Sequence, residues 1–181
     1  MVQTAAIIEG TGPSLHDQSV DGARFRQALA AHASGVVVIT AQVDGAPVGL
    51  TVTSFTSVSL TPPLVSFYVD RASTTWPSLK LADYFAVNVL ADEQTELAEI
   101  FARRGIDRFA NCPGWRIGAY GVPLLAGISA RLTCHRHSVA DIGDHILVVG
   151  HVVETGTTGG KPLLYHRASF GSFVPHPRES E

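Results

Sequence analysis

The chain has 181 residues, 45% of them apolar, which suits one domain with a proper core. A formal charge of −3 with no Lys/Arg block argues against a nucleic-acid partner. Residues 1–13 lack the basic start and apolar core of a signal peptide, and no apolar run approaches the ~18–20 residues of a membrane span. Cys112 and Cys134 have neither metal-ligand spacing nor a disulfide framework, so a soluble protein of the reducing cytoplasm is expected.

Residues 1–20 are polar and unpatterned and read as a loose N-terminal arm. Asp21 is placed to cap a helix over 23–32, with Phe25 and Leu29 at i, i+4 on its buried side. Gly35 breaks that helix, and the β-prone run at 36–40 opens the first strand. Asp44-Gly45 signals a hairpin into a hydroxyl-rich segment. The next strand covers 64–69. Ser73 or Thr74 can cap a helical turn through Leu81, with Pro77 confined to its opening. A strand over 85–90 and a helix over 92–104 follow; Leu97, Ile100 and Phe101 share one face of that helix and Gly105 ends it. After a loop over 106–114 come strands near 116–120, 129–138, 145–154 and 163–173. About seven or eight strands with short connections imply an all-β barrel or sandwich. The domain is expected to span 21–175, with a tail over 176–181.

The most distinctive stretch is residues 49–71, GLTVTSFTSVSLTPPLVSFYVDR. Seven of the eleven residues from Thr51 to Thr61 carry a hydroxyl, the run closes on Pro62-Pro63, and the apolar strand beyond ends in Asp70-Arg71. A strand and loop lying against a flat ligand with many acceptors would use such residues. No GxGxxG follows a strand and no serine sits in a G-x-S-x-G elbow, so neither a Rossmann nucleotide site nor that hydrolase motif is present. A flavin asks something else of a protein: placement, electrostatics and access, the cofactor itself performing the hydride step. Thr51 to Thr61 can supply backbone and hydroxyl donors, and Ser73-Thr74 beside Arg71 make a phosphate seat.

Together with SGVVVIT, FAVNVLADEQTELAEIFA, DRFANCPGW, GDHILVVGHV and the segment at 163–166, in that order, this stretch resembles the flavin reductase-like family. Its members supply reduced FMN or FAD to two-component monooxygenases. The resemblance implies an FMN-binding split β-barrel with a few short helices, a homodimer with flavin near the subunit interface, and NADH or NADPH as reductant. It places Thr51, Val52, Thr53 and Ser54 along the isoalloxazine edge, largely through backbone. It sets Ser66, Tyr68 and Asp70 beside the ring and ribityl chain, Arg71, Ser73, Thr74 and Arg108 at the phosphate, and His145 and Tyr165 at the nicotinamide. His145 is the catalytic candidate, orienting the nicotinamide. Thr53, Trp76 and Cys112-Pro113 depart from the family pattern, and Trp76 is expected to bear on FMN versus FAD preference.

Taken singly, these features read otherwise. The hydroxyl run is then an edge strand, Gly143-Asp144 a hairpin turn, Arg71 half of a surface ion pair, and Tyr165 core with its hydroxyl at the rim. His135 and His137 would share a strand face, as a solvated or interface pair rather than a metal site, and Cys134 would pack inward. Two other functions stay open at this point: a non-catalytic flavin carrier or sensor, and a flavin-retaining oxidase on the same barrel.

Overall fold

Asp21 does cap the first helix, α1 (Gly22–Leu29), its carboxylate accepting from the Arg24 amide at 3.3 Å. The structure, a computed structural model, describes residues 19–177; most of the expected arm and tail lies outside them. Phe25 and Leu29 are 56% and 54% exposed rather than buried, because α1 lies on the rim of the molecule and packs none of its side chains into a core.

Twelve strands form among the described residues. The first five are β1 (Ser34–Gly35), β2 (Val37–Val43), β3 (Ala46–Val52), β4 (Thr56–Leu60) and β5 (Pro63–Asp70). After the single turn α2 (Trp76–Leu79) come β6 (Tyr84–Val89) and the helix α3 (Thr95–Ala102). Then follow β7 (Trp115–Ile117), β8 (Pro123–Leu125), β9 (Ala130–Ile142), β10 (His145–Thr157), β11 (Leu163–His166) and β12 (Ser169–Ser172). Asp44 (φ 51°) and Gly45 (φ 81°) make the expected β2–β3 hairpin. The strand expected over 163–173 is instead a hairpin, folded at Arg167 (φ 49°) and Ala168 (φ 59°), two side chains that give no turn signal. The helix expected over 92–104 spans less: Arg103 is already extended, and Gly105 (φ 75°) belongs to the turn beyond it.

Seven antiparallel strands make the main sheet in the order β3-β2-β6-β9-β10-β5-β4. Alternate residues of β2, β5, β6 and β10 meet in one core: Ile39, Phe67, Val69, Phe85, Val87 and Val148. A flat sheet could not bring β2 and β5 face to face across three intervening strands, so the sheet is curled into a barrel. Cys134 points into it, fully buried, and burial pushes its thiol up to about 12. Gly150 leaves the space that Phe85 fills: a Cβ there would stand 2.4 Å from the ring. On the outer face of β2, Leu97, Ile100 and Phe101 of α3 cover Val36 and Val38.

One buried polar knot pins the connection carrying β8 onto the barrel. Asn88 Nδ2 donates to Val38 O (3.1 Å) and Thr40 Oγ1 (3.0 Å), while its Oδ1 accepts from Leu125 N (3.0 Å). Asn88→Ala would orphan the buried Leu125 amide, at a cost of about 1–3 kcal/mol. Urea unfolding should show a lower midpoint with an unchanged slope; an unmoved midpoint would mean the knot contributes nothing.

Candidate active site

The hydroxyl-rich stretch forms the free edge of the sheet. β3 is an end strand, so alternate backbone groups have no strand partner. The Gly49 carbonyl accepts from Arg108 on that edge, and strand alternation turns the Thr51 main chain the same way; Thr53 lies in the bend just beyond β3. The side chains divide the work differently. Thr51 Oγ1 donates to Ala98 O at 2.7 Å, tying β3 to α3. Val52 packs into the barrel. Ser54 Oγ accepts from Tyr68 N at 2.9 Å and locks the link between β3 and β4 against β5. A Cβ at Gly49 would stand 2.9 Å from Phe101, so the glycine lets α3 close on this edge.

A cleft of about 330 Å³ runs along the edge. It collects Thr51, Val52, Thr53, Ser54, Tyr68, Asp70, Ser73, Thr74, Arg108 and His145 from six separate sequence regions, together with Arg104 and Phe101. At one end Asp70 Oδ1 accepts from Ala72 N at 2.7 Å, and Ser73 Oγ accepts from Thr75 N at 3.3 Å, shaping the turn after β5. The helical turn that follows is capped at Thr75, not at Ser73 or Thr74, and α2 has four residues, too few to sum an appreciable dipole. The anion-attracting charge must come from side chains.

Arg108 supplies it. Its guanidinium donates to Gly49 O, to Thr75 Oγ1 (2.6 Å) and to Arg103 O (2.7 and 2.9 Å). All three acceptors are neutral. Arg71, Arg103, Arg104, Arg131 and Arg136 each face a carboxylate instead, at 3.1–3.8 Å. Burial pulls the Arg108 pKa down, yet a guanidinium keeps its proton at any working pH. The cleft therefore holds a part-buried positive charge that no carboxylate pairs among the described residues.

His145 opens β10 beside Asp70, its partner across the β5–β10 ladder. Its Nδ1 donates to Asp144 Oδ1 at 2.7 Å, which fixes the ring at the cleft. Thr53, Ser54 and Tyr68 also border a second trough of about 890 Å³, where Tyr165 stands between β1 and Phe170.

Some expected residues fall elsewhere. Arg71 turns away to Asp141 (3.1 Å) and does not line the cleft. Ser66 is buried between Thr56 and Val149, and Trp76 packs on the barrel core. Tyr165 lines the second trough and not the cleft that holds His145. His137 sits at a bulge between Arg136 and Ser138, while His135 packs edge-on to Tyr84 (5.1 Å) and opposes His151. Sequence reading missed Arg104, whose only signal is its place just beyond α3, and Trp115.

The structure is thus a curled antiparallel barrel with a cleft along the open edge of β3. The flavin reductase like domain matches residues 29–173, and the chain belongs to that family. It is 40% identical over 158 residues to a flavin reductase of Pseudomonas putida, covering 86% of this chain and 92% of that one. It is 38% identical over 159 residues to the reductase component of a Rhodococcus opacus 4-nitrophenol 4-monooxygenase/4-nitrocatechol 2-monooxygenase, covering 88% and 85%. The solved structure of the Streptomyces globisporus C-1027 NADH:FAD oxidoreductase SgcE6, in complex with NAD and FAD fragments, superposes with a TM-score of 0.80 at 34% identity, covering 86% of this chain and 94% of that one.

The Asp144 carboxyl is held below the usual aspartate value of 3.8, first by the hydrogen bond from His145 and then by its charge. A depressed carboxyl pKa favours the paired state above the ordinary value, and the pairing is lost as pH falls through the lowered one. Carbon-detected NMR titration should place the Asp144 midpoint below that of a free aspartate. His145→Ala should return it to normal; a midpoint that ignores the substitution would dissolve the pair.

Proposed function

We infer that this chain is an NAD(P)H:flavin oxidoreductase that supplies reduced flavin to a partner monooxygenase. Family membership and the reductase components among its relatives support that reading. The observation that carries the site is Arg108, a charge without an ion-pair partner among the described residues, held against the middle of an edge strand whose free main chain can meet a ring. The donor set fits a flavin mononucleotide half: backbone of Thr51 and Thr53 for the ring, Tyr68 and Asp70 beside the ribityl chain, Ser73, Thr74 and Arg108 for the phosphate. Arg71 remains outside this set.

A flavin held by these residues would supply the two-electron acceptor for the hydride of a reduced nicotinamide, with solvent as the source of the accompanying proton. The protein's own part is placement. His145, braced by Asp144, orients the nicotinamide, and the adjoining trough at Tyr165 leaves room for a second planar ligand. Holding the reacting atoms ~3–3.5 Å apart supplies most of the acceleration. That trough favours a reductase over a carrier, which needs one ligand only. Free cysteines and a nicotinamide reductant fit work in the cytoplasm; no helix among the described residues is long and apolar enough to cross a membrane.

NADH oxidation should require added FMN or FAD. His145→Ala should leave flavin affinity unchanged while raising the NADH KM or slowing anaerobic hydride transfer about tenfold, the effect of losing ~1.4 kcal/mol. Unaltered reduction in a folded, flavin-saturated variant would remove His145 from the site.

A homodimer is the natural cover for the outer face of β4, β5 and β10. Val153 is 38% exposed there with Leu147 and Val149 on the same face, and Val58 and Leu60 of the adjoining edge strand β4 are 54% and 91% exposed. Sedimentation equilibrium should return a dimer, and Leu60→Glu with Val58→Glu should shift it toward monomer. A monomeric parent at micromolar concentration would end the reading.

A further inference from the structure

Beyond Arg108 the cleft opens into a third cavity, of about 690 Å³, which the ring and phosphate do not use. The two meet at Thr74 and Arg108, the proposed phosphate seat. We propose that this trough binds the adenosine half of FAD, so that the protein selects FAD over FMN, with Trp115 as the residue against which the base stacks. The proposal rests on the flavin site above and extends it by naming the nucleotide.

Trp115 is 37% exposed and Ile106 41%, and both face the trough opposite Pro47 and Val48 of β3. The indole is not a loose surface group. It packs edge-to-face on Phe109 (5.1 Å, 74°), which packs the same way on the fully buried Phe101 (5.1 Å, 90°). A chain of three aromatic rings rooted in the core thus ends on a held, half-exposed ring, the arrangement on which a base gains stacking energy without first ordering the side chain. Asp107 is fixed as well, its Oδ1 accepting from Phe109 N (3.1 Å) and Ala110 N (3.0 Å). Its carboxylate can accept from ribose hydroxyls and would repel a 2′-phosphate. Among the described residues, Asp107 and Arg108 are the only charged ones lining the trough.

The adenosine of NADH offers the same chemistry, but FAD continues covalently from the phosphate at Arg108 into this space. The nicotinamide's room lies at the opposite end, beside Tyr165.

Calorimetric titration of the full chain with FAD and with FMN, alongside NADH kinetics, tests this. FAD should bind at least about tenfold more tightly than FMN. Trp115→Ala and, separately, Ile106→Ser should each weaken FAD about tenfold while FMN stays within about twofold. Ile106 lies in an exposed loop, so its variant reports even if Trp115→Ala fails to fold. Equal affinities for the two flavins in the parent would overturn the proposal while leaving the flavin site intact. So would a parallel loss of both flavins in the variants, or a rise in NADH KM with FAD affinity unmoved, which would give the trough to the nicotinamide nucleotide. A parent that binds neither flavin would take down the underlying site, and this proposal with it.

Discussion

The guanidinium of Arg108 is the point on which the cleft depends. It joins three segments far apart in the chain: the free edge of β3 at Gly49, the turn before α2 at Thr75, and the end of α3 at Arg103. Neutral oxygens satisfy its donors, so the group can sit half-buried without the penalty of unmade bonds. They do not cancel its charge. A carboxylate in the same place would have built an equally firm brace and a neutral site, with nothing to attract a phosphate. The wall and the anion seat are therefore one interaction.

The barrel was legible where period and turn chemistry agree. Alternation in β5 separates Val65, Phe67 and Val69, which pack inward, from Tyr68 and Asp70, which face the cleft. Asp44-Gly45 announced its hairpin. The β11–β12 hairpin was invisible because Arg167 and Ala168 adopt left-handed φ without the residues that usually advertise it. The buried face given to α1 failed for another reason: i, i+4 spacing reports that a helix has an apolar side, not that anything lies against it.

At the cleft, backbone direction is easier to read than side-chain direction: within β3, alternation fixes which main-chain groups face the free edge, whatever the side chain does. Arg71 next to Ser73 in sequence gave no such guarantee. A long side chain at a strand end can swing either way, and Asp141 on the neighbouring β9 captured it. Arg108, from a distant loop, lines the cleft that Arg71 does not. Trp76 and Trp115 traded places in the same manner: one turned into the barrel, the other was left at a cavity by the loop leading into β7.

An open edge also suits the exchange that a reductase requires. Tyr68 is 38% exposed, and His145 and Asp70 stand at the rim, so the ring's place has one built wall and one open side. Main-chain donors on an end strand are pre-formed and need no side chain to be ordered when a ligand arrives. Binding strength can then reside in a few groups at the phosphate end while the ring end stays accessible to a second ligand. Enclosing the ring on both faces would raise affinity, but it would remove the surface on which a nicotinamide must stack. The curled sheet with β3 left unpaired at its margin reconciles the two demands: a rigid barrel behind the site, and an unfinished edge where the exchange takes place.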